Sequence, residues 1–597
     1  MARGSTLEST QRITTDVLII GGGAAGMIAA IGALRAGVKP LVVTKGTYAS
    51  GSSSMARGGY SIAIAHVDAE DNPQYFFEDA IKASFDIANP RLSQLMCEES
   101  IPRTLELDAW GLGLAKQADG RFDQRESSRP HRYKRLVHCG KLMGKPLMLA
   151  LAKKTRALGI EPLDHVMLVD LLREDGVVVG AWGFRYRDGV PVVIHARSTI
   201  IATGGAPQLH EVNDSPPTVS GDGYAMGLRA GAELVDMEFI DYQLLTAAPL
   251  KLRGYPCHSS GFLNHGGYLL NKDRERFMGR YDPANLERAP RALINRGVGI
   301  EIYEGRGTEN NAIYIDVRHV FDEINVTAMA DVIKSFVKAG VDPRSEFMEV
   351  ASGPHTYLGG LRIDEWGRTS VPGLYAGGEA AGGVHGANRL GGAALSDTYV
   401  FGYRAGLAAA AEASSRAMPA SNAGGATDAI NALDARLARG GGQLSATEWR
   451  REVQQLVVSS VGQVRHGDRL QQGLAKLAEL ARRYDDASVE GETVRDRCGE
   501  MRLNMETRNL IQVAQMLGTA ALNRRESRGG HYRLDFPSLD ERFVGNIILT
   551  QDGERIRHEF RPVPPPTPAP ALQRLWHRGK RDERLPQSLP LSRGNPA

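Results

Sequence analysis

Three glycines near the start of the chain have the spacing of a phosphate-binding loop. Gly21, Gly23 and Gly26 follow the apolar run 17–20 and open a second apolar run, 27–34. In the pattern GxGxxG the first glycine permits a tight turn, the second lets the backbone approach a pyrophosphate, and the third lets helix and strand pack closely. A helix N-terminus adds unpaired N–H groups and a partial positive charge. The stretch therefore predicts a strand, a turn and a helix that bind a dinucleotide.

The same stretch is apolar enough to be weighed as a signal peptide or a membrane span. Asp16 precedes it, glycines interrupt it, Arg35 ends it, and no small-residue cleavage site follows at the required place. These features favour a buried strand–helix unit. No later run is long and apolar enough to span a bilayer, so we predict no direct membrane insertion.

The next two segments indicate how a cofactor is held. Residues 41–44 predict a second strand, after which a dinucleotide-binding fold often places an acidic residue on a ribose. This chain has Thr44 and Lys45 there, which disfavours a generic NAD site. The loop 50–59 is rich in serine and glycine. Because it directly follows the ribose strand, we predict that it wraps a cofactor; the alternative is a plain surface loop.

The totals of the whole chain exclude several other classes. With 597 residues, several domains are expected. The net charge of +3 is too small to predict nucleic-acid binding. The four cysteines lie far apart and form no CxxC pair. This spacing predicts a reducing compartment, hence a cytoplasmic protein, and neither an iron–sulfur cluster nor another metal site in this chain.

Motifs spread over most of the chain resemble those of one family. Besides the glycine turn, they are Ala56-Arg-Gly-Gly59, Ala202-Thr-Gly-Gly205, Gly221-Asp-Gly-Tyr-Ala-Met226, Arg229-Ala-Gly-Ala232, Asp236-Met-Glu-Phe-Ile240, Gly267-Tyr-Leu-Leu-Asn271, Gly373-Leu-Tyr-Ala-Gly-Gly-Glu379, His385-Gly-Ala-Asn-Arg-Leu-Gly-Gly392 and Ser527-Arg-Gly-Gly-His531. In this order they resemble the succinate dehydrogenase/fumarate reductase flavoproteins, a group that includes L-aspartate oxidase. The resemblance extends from about residue 14 to about residue 560.

The resemblance implies an α/β fold with a Rossmann-like FAD-binding domain, an inserted α+β capping domain and a C-terminal helical bundle domain. Apolar residues at helical spacing, such as Val453, Leu456 and Leu477, agree with the bundle. The predicted divisions are 1–234 for the first part of the FAD-binding domain, 235–355 for the cap, 356–412 for the second FAD-binding part, 413–445 for a linker, 446–561 for the helical domain and 562–597 for a tail rich in proline and basic residues.

The resemblance also implies which residues contact FAD. They are Gly21, Gly23, Ala24, Ala25, Gly26, Thr44, Lys45, Ser52, Ser53, Ser54, Gly58, Gly59, Ala202, Thr203, Gly204, Asp222, Glu379, Arg389, Ala394 and Leu395. Covalently flavinylated members carry a histidine where this chain has Ser52. The cofactor is therefore predicted to be FAD held non-covalently.

Three positions match catalytic residues of the family. Arg291 matches the arginine that passes a proton to or from the substrate, and its alternative interpretation is a helix-surface arginine. His355 matches the substrate-binding histidine, and its alternative is a packed histidine in a buried loop. Arg389 matches the arginine that binds a substrate carboxylate, for which a guanidinium has suitable bidentate geometry. His138 is predicted to be structural or to contact the cofactor, and not to be catalytic.

The chain departs from the family in its expected substrate pocket. Where relatives continue Gln-Phe-His-Pro-Thr, it has the segment 241–245, Asp-Tyr-Gln-Leu-Leu, and an acidic residue of the next motif is replaced near Ser259 and Ser260. Ala393 and Ala394 replace the usual Asn-Ser. The missing histidine and threonine argue against plain succinate or fumarate.

We therefore predict an FAD-dependent oxidoreductase that transfers hydride between flavin N5 and a small carboxylic-acid substrate, by dehydrogenation or by C=C reduction. One alternative is amine oxidation like that of L-aspartate oxidase. Another is a flavin electron-transfer subunit of a larger complex with an iron–sulfur protein partner, and a third is a flavin-binding protein that has lost activity.

Overall fold

The computed structural model describes residues 10–127, 131–140, 142–257, 259–289, 291–325, 329–420, 422, 424–439 and 442–564. The α-helices are Ala24–Arg35, Pro73–Ala83, Pro90–Ala109, Gly144–Ala157, Asp222–Arg229, Ser259–Asn264, Arg291–Tyr303, Phe321–Asn325, Ala330–Ala339, Ala393–Ser415, Ala426–Arg439, Ala446–Leu456, Gly467–Arg482 and Val494–Asn523. Within these ranges no helix combines the length and the apolar character needed to cross a bilayer.

A seven-stranded sheet is the framework of the N-terminal half. Its order is Leu163–Asp164, Leu41–Thr44, Gln11–Ile20, Pro191–Ile201, Val177–Arg185 and Val166–Glu174, with Leu374–Ala376 also paired to Pro191–Ile201. The central pairings are parallel: Ile20 lies opposite Val43 and Ile201, and Ala376 also lies opposite Ile201. The carboxyl ends of these four strands therefore meet at one edge, where doubly wound sheets bind ligands.

Glycines allow two helices to approach this sheet and each other. A Cβ on Gly26 would lie 1.9 Å from the carbonyl oxygen of Gly21, so only glycine lets the helix Ala24–Arg35 start this close to its strand. A Cβ on Gly406 would lie 2.1 Å from the carbonyl oxygen of Ala29, which brings the helix Ala393–Ser415 directly against the first helix.

A second, antiparallel sheet forms the inserted cap. Its strand order is Ile240–Ala248, Met348–Tyr357, Ile313–Asp316 and Tyr268–Leu270. The helices between residues 259 and 339 pack on it around a separate apolar core that includes Phe262, Val298 and Phe336. Because the first two strands of this sheet join the cap to the FAD-binding domain, residues near their ends face the cleft between the two.

The C-terminal region combines helices with a β-hairpin. The long helix Val494–Asn523 begins at a capping box, in which Thr493 and Asp496 exchange side-chain-to-backbone hydrogen bonds. After it, the hairpin Gly545–Asp552 and Arg555–Pro562 joins Leu234–Val235, Gly360–Arg362 and Ala381–Gly382 in a five-stranded sheet. The sequence pattern indicated only helices for 446–561; the hairpin escaped notice because its second strand is largely exposed and polar.

Two segments flank the helical domain. The segment 413–445, predicted as a linker, contains the helix Ala426–Arg439. Most of the predicted proline-rich and basic tail, residues 565–597, lies outside the described residues.

Candidate active site

A cleft of about 930 Å³ opens at the carboxyl edge of the seven-stranded sheet. Each of the four parallel strands delivers its following residues to this cleft. Most of the predicted cofactor residues line it: Gly21, Gly23, Ala24, Ala25, Thr44, Lys45, Ser52, Ser53, Ala202, Thr203, Gly204, Asp222 and Glu379. They are distant in sequence and are brought together by the parallel register of the strands.

The floor of the cleft has the geometry of a pyrophosphate site. Gly21 has φ of +122°, and a Cβ there would lie 2.2 Å from the carbonyl oxygen of Ala202. Gly23 caps the helix that starts at Ala24, and no described side chain caps that helix end. The N–H groups of the first turn are thus presented to the cleft, as an anionic phosphate requires. The hydroxyl of Thr203 is buried here without a hydrogen-bond partner among the described residues. These residues fit a dinucleotide cofactor.

Other predicted cofactor residues do not line this cleft. Gly26 packs against the first strand, and Gly59 packs against the strand Leu136–Val137. Ala394 and Leu395 lie in the first turn of the helix Ala393–Ser415, and it is Thr398, one turn later, that reaches the cleft wall. Ser54, Gly58 and Arg389 also lie outside the cleft lining.

The position predicted to lack a covalent flavin link is near the cleft wall. Ser52 donates a hydrogen bond to the hydroxyl of Ser215 at 3.3 Å. The residues described for the cleft lining include no histidine. His138 lies elsewhere: it is buried, and its ring nitrogens contact Asp123 and the N–H of Gly140, each at 3.0 Å, so its hydrogen bonds are structural.

A buried ion cluster supports the cleft from below, and sequence reasoning missed it. Lys45 contacts Asp222 at 2.6 Å and Glu506 at 2.8 Å. Glu506 also contacts Arg450 and Arg502, both at 2.7 Å, and its side chain is fully buried. Burial alone would raise the pKa of Glu506, but these three cations together lower it to about 2. Nothing in the local sequence distinguishes Glu506 from other acidic residues on a long helix.

Two of the predicted catalytic residues belong to one hydrogen-bonded chain. Arg291 donates from Nη2 to Oε1 of Gln243 at 2.9 Å, and Gln243 donates from Nε2 to Oδ2 of Asp214 at 2.5 Å. The same Asp214 oxygen lies 3.1 Å from Nδ1 of His355. Gln243 lies in the segment where the sequence departs from its family, whereas Asp214 had no such signal. The chain links the cap to the FAD-binding domain.

The third predicted catalytic residue is held in a buried ion pair. Arg389 donates from Nη2 to Oδ2 of Asp241 at 3.0 Å, and both side chains are about 5% exposed or less. Asp241 is the first residue of the departing segment 241–245, so that departure signalled an altered pocket without indicating this partner.

Glu379 joins the cationic group to the cofactor cleft. It lines the cleft and accepts a hydrogen bond from the N–H of Tyr357 at 2.9 Å. Burial raises its pKa to about 7; the nearby Asp214 raises the pKa further, while Arg389 lowers it. Because Glu379 responds to both Asp214 and Arg389, the cleft and the cationic side chains form one continuous site.

A dinucleotide cleft in a doubly wound sheet, covered by a cap that adds arginine and histidine, defines a cofactor-dependent oxidoreductase. Comparison with known proteins makes this assignment specific. Residues 16–395 match the family described as FAD binding domain, and residues 450–574 match the family described as fumarate reductase flavoprotein C-term. The chain belongs to the succinate dehydrogenase/fumarate reductase flavoprotein family and is an FAD-dependent oxidoreductase.

Individual relatives cover nearly the whole chain. A subunit of the fumarate reductase (CoM/CoB) of Methanothermobacter marburgensis is 39% identical over 546 residues, which are 90% of this chain and 97% of the relative. L-aspartate oxidase of Streptomyces coelicolor is 30% identical over 89% of this chain and 90% of its own length. Among solved structures, Mycobacterium smegmatis Sdh1 in complex with UQ1 is 31% identical with a TM-score of 0.85, covering 94% of this chain and 96% of that chain.

These findings confirm the family, the fold class and FAD as cofactor, all of which the motifs predicted. The assignment of individual site residues rests on the geometry of the cleft and cap and on the resemblance of the motifs.

Proposed function

We propose that the chain transfers hydride between FAD and a small substrate that bears a carboxylate. Arg291 is the residue that exchanges a proton with the substrate, and His355 and Arg389 bind and orient it. The supporting observation is the hydrogen-bonded chain from Arg291 through Gln243 and Asp214 to His355, which lies beside Glu379 in the wall of the cofactor cleft.

Bound FAD supplies acceptance or donation of an electron pair, and the residues of this chain supply position and charge. Arginine is an unusual proton donor because its pKa is above about 12. Arg291 can act in this way only where water is excluded and other cations crowd it. Closure of the cap over the cleft would provide that environment.

A screen for flavin bleaching tests this proposal. The holoenzyme is mixed anaerobically with mono- and dicarboxylic acids, and loss of the oxidised flavin spectrum is followed. The Arg291→Lys variant keeps the charge but loses the fork geometry, so we expect the best substrate to bleach its flavin at least ~100-fold more slowly, with unchanged flavin content. Arg288→Lys, an exposed position three residues earlier, is the matched control. Equal rates in both variants would refute the proton role of Arg291.

The cofactor is proposed to be non-covalent, because serine stands at the position of the family's linking histidine and no histidine is among the residues described for the cleft lining. Acid precipitation should release all yellow colour into the supernatant. Flavin that remained in the protein pellet would contradict the proposal.

We also infer that the chain works as the flavin-bearing subunit of a complex with an iron–sulfur protein, located in the cytoplasm. The names of several relatives describe subunits. The four cysteines are free thiols, which favours a reducing compartment. Reoxidation by air should be slow for the isolated chain and fast with a co-purified partner. Fast reoxidation of the chain alone, after bleaching by L-aspartate, would instead support the amine-oxidase candidate that the L-aspartate oxidase relatives suggest.

A further inference from the structure

The arginine expected to bind a carboxylate already has a carboxylate partner within the chain. Asp241 lies 3.0 Å from Nη2 of Arg389, and the two side chains are 4% and 5% exposed. An ion pair this well buried is little screened by solvent, so it persists at physiological salt. A substrate carboxylate that approached Arg389 would meet the negative charge of Asp241 at the same guanidinium.

A second acidic residue lies on the other side of the site. Asp214 is 11% exposed and pairs with His355, the other residue expected to bind the substrate. Asp214 also accepts a hydrogen bond from Gln243, which in turn accepts from Arg291. Among these charged side chains, two arginines face two aspartates, and only protonation of His355 adds a further positive charge.

This balance of charges determines how much substrate charge the site can hold. A dicarboxylate brings two negative charges, and each needs a cation or several strong donors once water is excluded. Like charges brought together in such a site weaken binding strongly. A substrate with one carboxylate requires only one net positive charge.

We propose that this site takes a substrate with a single carboxylate and an uncharged opposite end, and that the Asp241–Arg389 pair is what excludes dicarboxylates. The inference rests on the proposed function, because it assigns a substrate class to the same site. In it Asp241 is a residue that determines specificity, and Asp214 has the same effect at His355.

Equilibrium binding to the oxidised holoenzyme tests the inference apart from turnover. Fumarate and monomethyl fumarate share the activated double bond and differ by one negative charge, and neither exchanges electrons with oxidised flavin. Titration calorimetry should show that monomethyl fumarate binds at least tenfold more tightly, equivalent to about 1.4 kcal/mol. Tighter binding of fumarate, or of L-aspartate, would overturn the inference.

Substitution of the two aspartates then identifies the cause. Asp241→Asn should strengthen fumarate binding at least tenfold while changing monomethyl fumarate binding less than threefold. Asp214→Asn should shift the preference in the same direction, and provides a second variant if Asp241→Asn lowers the yield of folded protein. Asp316→Asn is the matched control, since it breaks an arginine–aspartate pair at 2.9 Å on the third strand of the same cap sheet.

The outcomes separate this inference from the proposed function. If wild type prefers monomethyl fumarate and Asp241→Asn does not change the preference, the role of Asp241 is wrong while a carboxylate substrate stands. If fumarate binds more tightly to wild type and bleaching experiments identify a dicarboxylate, the single-carboxylate inference fails and the proposed function remains. If no carboxylic acid binds or exchanges electrons with the flavin, both are wrong.

Discussion

Replacing Glu506 by glutamine tests whether the helical domain stabilises the cofactor cleft through its buried ion cluster. The change removes a fully buried carboxylate while Lys45, Arg450 and Arg502 remain within 2.8 Å of the position it occupied. Removing one partner from such a cluster leaves uncompensated buried charge, which costs about 3–5 kcal/mol. The fall in the pKa of Glu506 from its ordinary 4.5 to about 2 corresponds to about 3 kcal/mol, in agreement with that range.

The assay is thermal denaturation followed by the rise in flavin fluorescence on release. If the chain unfolds as one unit, about 2.1 cal/mol/K per residue over 597 residues makes this loss worth about 2–4 °C in Tm. Glu452→Gln is the control, because the Glu452–Arg483 pair is about half exposed and worth less than about 1 kcal/mol. We expect it to change Tm by less than about 1 °C.

The same variant makes a prediction for pH. A carboxylate whose pKa is lowered by folding contributes stability above its unfolded pKa of 4.5, and this contribution is lost as the pH falls toward 2. The difference between wild type and Glu506→Gln should therefore be about 1 kcal/mol smaller at about pH 3.5 than at about pH 6. Equal Tm values for the two proteins, or a difference that does not change with pH, would refute the assigned role of the cluster.

Two further predictions concern the cleft itself. Gly21→Ala should reduce bound flavin per protein to less than a tenth, because the new Cβ would lie 2.2 Å from the carbonyl oxygen of Ala202 and the φ of +122° is strained for alanine; visible absorbance measures this, and Gly499→Ala, with open space around its Cβ, should retain its flavin. Burial raises the pKa of Glu379 to about 7, so wild type should lose up to about 3 kcal/mol relative to Glu379→Gln as the pH rises from about 4.5 to about 7; denaturation profiles that stay parallel across this range would contradict the value.

Much of the cofactor site could be predicted from the sequence because its determinants are local. The turn between strand and helix needs Gly21, Gly23 and Gly26 at fixed offsets, and the structure explains each by a turn, a helix start or a close backbone approach. The order of the remaining motifs then indicated the family, and with it the layered fold. Parallel register brought the ends of distant strands together, as a doubly wound sheet must.

The substrate side of the site could be predicted only in part. The segment 241–245 showed that the pocket differs from that of its family, but it did not show what replaced the missing groups. Asp241 pairs with Arg389 across 148 residues of chain, and Asp214 meets His355 across 141. Such pairings depend on how the cap lies over the FAD-binding domain, and no local pattern encodes them.

The sequence by itself thus determined the cofactor, the sheet that binds it and the family, because glycine spacing and apolar runs act over a few residues. The tertiary structure decided which charges face each other: Glu506 beneath Lys45, and Asp241 against Arg389. The physical reason is that the effect of a charged side chain depends on its burial and on its partners in space. Both are set only when the domains pack together.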